Sequence, residues 1–166
     1  MRKKTLIITI VTGIALLFIA GGIYAATKVV DEIRLENRAY SNHQEAVVIF
    51  QHRKHQSEYR EKNPELFNSQ CGECHHEKVN DKKNNPLVNL KEGGEVKNCI
   101  ECHKKADYLK GKQAKGLSDV QKREYHANAM HDNCKSCHKE HNKEKGLKSK
   151  DKGYAPVTCK SCHVKG

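Results

Sequence analysis

Four copies of one pentapeptide, Cys-x-x-Cys-His, limit what this 166-residue chain can fold into. They begin at Cys71, Cys99, Cys134 and Cys159 and contain all eight cysteines, which leaves none for disulfides. Only 36% of the residues are hydrophobic, many of these lie near the N terminus, and the sequence has no Trp. A chain this polar needs something other than its own side chains to form a core.

The spacing of the pentapeptide is that of covalent haem attachment. Two thiols add across the two vinyl groups of one porphyrin, and the next residue places an imidazole on the iron. Zinc ribbons also use paired Cys-x-x-Cys units, but zinc does not require a histidine after every second cysteine. The alternative is therefore a zinc-stabilised binding module. The sequence predicts four covalent haem c groups, on Cys71 and Cys74, Cys99 and Cys102, Cys134 and Cys137, and Cys159 and Cys162.

The formal charge of the chain is +11. An excess of this kind usually indicates a nucleic acid or an anionic surface as partner. Four haems change that interpretation, because their propionates would add up to about −8. The excess is therefore expected to balance the haem carboxylates, and no nucleic acid is predicted as a partner.

The ligand on the second face of each iron decides between carrier and enzyme. The only methionines are Met1 and Met130, so methionine cannot serve four haems, whereas seven of the eleven histidines lie outside the pentapeptides. Every iron can then hold two histidines, which leaves no open position for substrate and favours low-potential electron transfer. A haem reductase, in which one iron stays open, is the enzymatic alternative.

Two histidine pairs in the sequence carry geometric information. His75 and His76 are adjacent, so their side chains diverge and cannot bind the same face of one iron. His76 is therefore expected to reach a different haem. His52 and His55 are three residues apart, share one face if helical, and suit two neighbouring haems.

The N-terminal segment is expected to direct export. Arg2, Lys3 and Lys4 precede 21 uncharged residues from Leu6 to Ala26. That length suits a membrane-spanning helix better than a signal peptide, and no Ala-x-Ala cleavage pattern is present. An uncleaved anchor is thus favoured over a cleaved signal peptide, and both place the remainder on the periplasmic side of the cytoplasmic membrane.

Regular secondary structure is predicted to be sparse. Residues 117–131 form the best helix candidate, with Ser118 as N-cap and Gln121 three residues on. The other expectations are a helical linker or stalk over residues 27–45, a short β-like run over 46–50, a polar insert over 56–70, and loops over 78–97 and 139–154.

The residues quoted so far, taken in order, resemble the class III multihaem cytochromes c of the tetrahaem c-three type. The run from Val47 through Phe50 to His52 and His55 is similar to the opening of that family's domain, and the first pentapeptide with its doubled histidine is similar to its first haem site. Tyr125, His126 and the sequence Met130-His131-Asp132 resemble its fourth-haem ligand region. The chain differs in its longer insert before Cys71, in having four short pentapeptides, and in its N-terminal anchor.

The resemblance implies the axial ligand pairs, which are His75 with His52, His103 with His76, His138 with His55, and His163 with His131. It leaves His43, His126 and His141 as non-ligands. It also implies a class III cytochrome c fold over residues 46–166, mostly irregular with short α-helices, a small β-like N-terminal piece and a haem-cluster core. The hydrophobic helix of residues 1–26 and the linker of residues 27–45 precede this domain.

These features together predict a low-potential electron carrier of anaerobic respiration. From Lys135 to Gly166 there are nine Lys against Glu140, Glu144 and Asp151, a surface suited to an acidic partner such as a hydrogenase, a formate dehydrogenase or another cytochrome. A membrane-anchored quinol-oxidising tetrahaem subunit is a further alternative. It fits less well, because Cys71 lies about 45 residues beyond the anchor and no Met follows it closely.

Overall fold

The computed structural model describes residues 29–41, 43–78, 84–86, 90 and 92–164. Contacts divide the chain into one unit of Met1–Val29 with Lys91–Glu95 and a second of Val30–Leu90 with Val96–Gly166. Of the first unit, only Val29 and residues 92–95 are described. The helices and strands below all belong to the second unit.

The described helices are mostly a single turn long. In chain order they are α1 (His52–Lys54), α2 (Arg60–Lys62), α3 (Cys99–Cys102), α4 (Asp119–Arg123), α5 (His126–Glu144) and α6 (Cys159–Cys162). A π-helical segment, His55–Tyr59, joins α1 to α2, and 3-10 turns occupy Pro64–Leu66, Gln70–Glu73 and Gly111–Ala114. This confirms the prediction of short helices.

Two small antiparallel strand pairs accompany these helices. Strand β1 (Ile33–Arg34) pairs with β2 (Ile49–Phe50), Ile33 opposite Phe50, and the Leu35 amide donates to the Val48 carbonyl at 2.9 Å. The predicted β-like run over residues 46–50 is thus present in part. The helical stalk is wrong where it is described, because its backbone hydrogen bonds go to this partner strand instead of along a helix.

The second strand pair follows the first pentapeptide. Strand β3 (His76–Lys78) is antiparallel to β4 (Asn84–Pro86), with His76 opposite Pro86. The loop prediction for residues 78–97 is therefore wrong at Lys78 and at Asn84–Pro86. Asn84-Asn85-Pro86 indicated a turn, but Pro is compatible with a strand end where no ladder hydrogen bond is needed.

The helix predicted over residues 117–131 divides in two. Ser118 caps α4 as expected: its hydroxyl accepts from the Gln121 amide at 3.3 Å, and the Gln121 side chain accepts from the Ser118 amide at 2.8 Å. The helix is then interrupted at Tyr125, because the backbone groups on both sides of this residue form hydrogen bonds with the backbone of Lys105. The Lys105 amide donates to the Glu124 carbonyl at 3.2 Å, and the His126 amide donates to the Lys105 carbonyl at 2.8 Å.

Helix α5 continues far beyond the predicted end at His131. It runs through the third pentapeptide to Glu144, so the loop predicted over residues 139–154 is wrong for its first six residues. Gly146 follows the C-cap Lys145 and terminates the helix, and its φ of 62° suits glycine. There the Leu147 amide donates to the Asn142 carbonyl at 2.8 Å and the Gly146 amide to the Lys143 carbonyl at 3.1 Å, a Schellman motif.

Asparagine side chains on α5 hold two flanking loops. Asn142, which is buried, donates to the Ala155 carbonyl and accepts from the Ala155 amide, both at 2.8 Å. Asn128 makes the same two-way contact with Leu109, at 3.0 and 2.8 Å. The longest helix thereby fixes segments that have no regular structure of their own.

The described residues contain almost no apolar core. Ala129 is their only buried hydrophobic residue, and none of their side chains is fully enclosed. Hydrogen bonds and short turns therefore position the chain, as expected of a polypeptide that folds around a prosthetic group. No helix among the described residues is long and apolar enough to span a membrane. The segment from Leu6 to Ala26, for which an anchor was predicted, lies outside them.

Replacing Asn142 by Ala should lower the free energy of unfolding by roughly 2–3 kcal/mol, since the substitution removes a buried side chain and leaves the half-buried Ala155 amide and carbonyl without partners. Thermal unfolding followed by circular dichroism measures the effect. Lys143→Ala, at the exposed next position of α5, is the control. Equal melting temperatures for the two variants would contradict the role given to Asn142.

Candidate functional site

Each pentapeptide occupies one helical turn. The first pentapeptide overlaps the 3-10 turn Gln70–Glu73. The cysteines of the second and fourth begin and end α3 and α6, and the third pentapeptide lies inside α5. The amides of His75, His103 and His163 donate to the carbonyl of the first cysteine of their motif, at 2.9, 2.9 and 2.8 Å. Because residues i, i+3 and i+4 of a helical turn share a face, both thiols and the imidazole point the same way.

Capping boxes start the two isolated motif helices. Asn98 caps α3, with the Glu101 side chain accepting from the Asn98 amide at 2.6 Å. Thr158 caps α6, with Ser161 in the reciprocal position at 3.1 Å. These caps let a helix of only four residues hold its two cysteines at the required spacing, since such a helix is unstable alone.

The structure brings eight histidines together as four pairs. Each pair joins a histidine that completes a pentapeptide to one that lies outside the pentapeptides. The ring centroids are 6.2 Å apart for His52 and His75, 6.1 Å for His76 and His103, 6.2 Å for His55 and His138, and 6.0 Å for His131 and His163. The resemblance to class III cytochromes implied the same four pairs.

This spacing is the one that two imidazoles need to share a metal ion. A nitrogen–metal bond of about 2 Å, plus ~1.1 Å from the nitrogen to the ring centre, would put the centroids of two imidazoles on opposite sides of one metal ion about 6.2 Å apart. The observed 6.0–6.2 Å therefore fits an iron between the rings.

Backbone carbonyls orient five of the eight rings. In each case Nδ1 donates, because a carbonyl can only accept. Nε2 of the neutral ring then carries the lone pair that could bind a metal. The contacts are His55 with Gln51 at 2.9 Å, His131 with Ala127 at 2.6 Å, His138 with Pro156 at 2.7 Å, His163 with Ala46 at 2.6 Å, and His103 with Arg123.

The local electrostatics also favour the ligand form of these rings. Desolvation lowers the pKa of His55, His75, His76 and His131, and in each case a neighbouring histidine lowers it further. A lowered pKa keeps the imidazole neutral, which is the form that binds metals. Desolvation by surrounding protein likewise raises the pKa of the Cys134 thiol to about 11, so this sulfur stays protonated until it reacts.

The Nδ1 atom of His52, by contrast, meets no backbone carbonyl. It is buried without a hydrogen-bond partner, which ordinarily costs free energy. Phe50 lies against this ring at 5.8 Å and against His55 at 4.6 Å. Tyr59, on the π-helical segment, contacts His55 in a T-shaped arrangement with ring centroids 5.0 Å apart. Aromatic side chains thus restrain the two histidines that precede the first pentapeptide.

The three remaining histidines are held differently. His126 Nδ1 lies 2.7 Å from the Tyr40 hydroxyl, and His43 lies against the same tyrosine with ring centroids 5.7 Å apart. His141 uses Nε2, the usual haem-ligating atom, to donate to the Gly153 carbonyl at 3.2 Å. None of the three belongs to the four pairs. In the described part of the chain, no three His, Cys, Asp or Glu side chains converge as a zinc site would require.

The structure adds site residues that the sequence did not indicate. The carbonyls of Ala46, Arg123 and Pro156 orient motif histidines from elements far away in the chain, and a backbone group carries no sequence signal. Tyr108 lies on the face of His131, with ring centroids 4.6 Å apart. The only signal for Tyr108 was its position in a loop between two haem motifs, which does not distinguish it from other tyrosines.

Comparison with known proteins identifies the family of this arrangement. The sequence model of the class III cytochrome C family matches residues 27–164. The match covers all four pentapeptides and all eight paired histidines. Comparisons with curated proteins and with solved structures found no match.

The ring planes divide the four pairs into two classes. The planes are nearly perpendicular in His52–His75 and His76–His103, at 83° and 79°, and closer to parallel in His55–His138 and His131–His163, at 24° and 38°. Perpendicular imidazoles leave two iron d orbitals nearly equal in energy. Ferric iron held in these pairs should therefore give two strongly anisotropic and two more rhombic low-spin signals in electron paramagnetic resonance (EPR). Four signals of one type would contradict these angles.

Proposed function

This chain belongs to the class III cytochrome c family, whose members carry covalently bound haem c and transfer electrons, and on that basis we propose that it is a tetrahaem electron carrier with every iron held between two histidines. The pairs are His75 with His52, His103 with His76, His138 with His55, and His163 with His131. The thiols of the four pentapeptides make the covalent attachments.

One observation carries the proposal. Every histidine that ends a pentapeptide has a second histidine at 6.0–6.2 Å, and no two pairs share a ring. With two protein ligands an iron has no position left for a substrate, which favours a carrier over a reductase. Two neutral imidazoles also favour a lower potential than a methionine ligand would.

When bound, haem c supplies reversible one-electron iron chemistry. The residues of this chain attach, ligate and orient it. Carbonyls at Gln51, Ala127 and Pro156 fix the Nδ1 proton of His55, His131 and His138, which sets the tautomer and the direction of Nε2. Ligands fixed in advance reorganise little when an electron arrives, which suits rapid transfer.

The ligands also set the order in which the four sites adjoin. His76 and His75 are neighbours in the chain and link site two to site one. His52 and His55 are one helical turn apart and link site one to site three. His138 and His131 both lie on α5, seven residues or about 10.5 Å apart, and link site three to site four. Each adjoining pair of sites is thus linked by two histidines no more than seven residues apart in the chain, which supports a continuous path in the order two, one, three, four.

We further propose that the protein works on the periplasmic side of the cytoplasmic membrane in anaerobic respiration. The uncharged segment from Leu6 to Ala26 would anchor it or direct its export. Covalent haem attachment by Cys-x-x-Cys-His and the absence of spare cysteines from the sequence are compatible with an oxidising compartment.

The docking surface proposed for acidic redox partners lies beside site four. Lys135 and Lys139 line a cavity of about 210 Å³ next to His131, together with Lys122 and Arg123. Asp119 pairs with Lys122 at 3.2 Å and Asp132 with Arg123 at 2.9 Å. Lys135 and Lys139 are then the cations of this cavity best placed to attract the carboxylates of a hydrogenase, a formate dehydrogenase or another cytochrome.

Ligand removal tests the bis-histidine proposal. His131→Ala should open one iron of four, so that about a quarter of the haem in the reduced protein binds carbon monoxide, whereas the wild type binds none. His141→Ala, on the same helix, is the control and should behave as wild type, because its Nε2 already bonds to Gly153. Optical titration with carbon monoxide measures both. Binding by the wild type, or equal binding by the two variants, would refute the ligand assignment.

Charge removal tests the docking surface. The double variant Lys135→Gln, Lys139→Gln should slow electron transfer from a purified periplasmic hydrogenase on the order of 10-fold at low ionic strength, and added salt should reduce the difference. Stopped-flow reduction measures the rate. The control removes the same charge at exposed Lys110 and Lys112. Loss of rate in both double variants alike would show that net charge matters and that this cavity does not.

A further inference from the structure

The distal histidine of site four is contacted on its face by a tyrosine from a separate loop. The rings of Tyr108 and His131 lie 4.6 Å apart at the centroids, with 30° between their planes. The other restraint on His131 is the hydrogen bond from Nδ1 to the Ala127 carbonyl at 2.6 Å. A single hydrogen bond at the ring edge still lets the imidazole tilt about the line joining the two atoms. A ring packed against its face opposes that tilt.

Helix α5 itself holds this tyrosine in place. The Asn128 side chain forms two hydrogen bonds with the backbone of Leu109, the residue after Tyr108. It accepts from the Leu109 amide at 2.8 Å and donates to the Leu109 carbonyl at 3.0 Å. Asn128 lies three residues before His131, so both project from the same face of the helix. The loop that carries Tyr108 is therefore attached to the same face of α5 as the imidazole and keeps its position relative to it.

We propose that Tyr108 is a positioning residue for His131: its ring sets the plane of the fourth-haem distal imidazole and shields that imidazole from water, and Asn128 acts through it. The inference rests on the proposed function, in which His131 binds iron. It extends that function by assigning the control of one haem out of four to a residue that does not touch the iron.

The shielding role follows from the cavity beside site four. Tyr108 is 37% exposed and lines this cavity together with His131 and Lys135. Its ring contacts the His131 ring, with centroids 4.6 Å apart, and is itself partly open to solvent, so it covers part of the imidazole. Without it, water would reach the ligand, and water stabilises the charged ferric state more than the neutral ferrous state. The potential of this one haem should then fall.

The test compares three variants of the holoprotein. Tyr108→Leu removes the stacked ring, Tyr108→Phe keeps it without the hydroxyl, and Tyr154→Leu removes a half-buried tyrosine elsewhere. We expect Tyr108→Leu to shift one of the four ferric EPR signals and to lower one of the four potentials in a spectroelectrochemical titration. Tyr108→Phe and Tyr154→Leu should match the wild type. If Tyr108→Leu fails to incorporate haem, Asn128→Ala, which frees the loop without touching the imidazole, should give the same shift.

Two results would overturn the proposal. One is a Tyr108→Leu or Asn128→Ala protein with four signals and four potentials identical to wild type. The other is a Tyr108→Phe protein altered as much as Tyr108→Leu, which would assign the effect to the hydroxyl. A failure of the proposed function can be told apart from a failure of this inference. In the first case the wild-type protein itself would lack four low-spin bis-histidine signals.

Discussion

The rest of this structure depends on four histidine pairs, each with the spacing that a shared metal ion would impose. Four histidine pairs meet at 6.0–6.2 Å, and every pair draws its members from different parts of the chain, which lie 23 to 83 residues apart. The described residues bury almost no hydrophobic side chains, so burial alone does not explain why these histidines converge. Ligation and porphyrin burial would supply the free energy that side-chain packing does not. Metal-bound domains commonly couple folding to binding in this way.

Hydrogen bonds to backbone groups also position the short helices, the histidine rings and two loops. The motif helices are too short to be stable alone, and capping boxes at Asn98 and Thr158 satisfy their first amides. Carbonyls from other elements then fix ring orientation: Ala46, before strand β2, accepts from His163 near the C terminus. Asn128 and Asn142 tie two loops to α5. A chain with so little apolar surface thus reaches a defined geometry through many directional contacts, each of which is individually modest.

Sequence reasoning predicted the family and the four histidine pairs better than the local structure. The Cys-x-x-Cys-His spacing by itself indicates covalent haem attachment. Backbone geometry alone assigned the adjacent His75 and His76 to different sites. The Ser118 capping box was also visible in the sequence and is confirmed. The break at Tyr125 was not, since it depends on hydrogen bonds to Lys105, twenty residues earlier. Similarly, Ile33–Arg34 is a strand only because Ile49–Phe50 lies beside it, and such pairing cannot be inferred from a window of the sequence. The role given to Tyr108 likewise depends on a loop position that α5 determines.

The central claim is that each of four irons lies between two histidines. Near-infrared magnetic circular dichroism of the ferric holoprotein, combined with a count of haems per chain by mass spectrometry, tests it most directly, because the ligand-to-metal charge-transfer bands distinguish bis-histidine, histidine–methionine and five-coordinate iron. The account predicts four haems per chain and bis-histidine bands that account for all of them. A histidine–methionine band, a high-spin fraction near one quarter or more, or fewer than four haems in the correctly matured protein would contradict it.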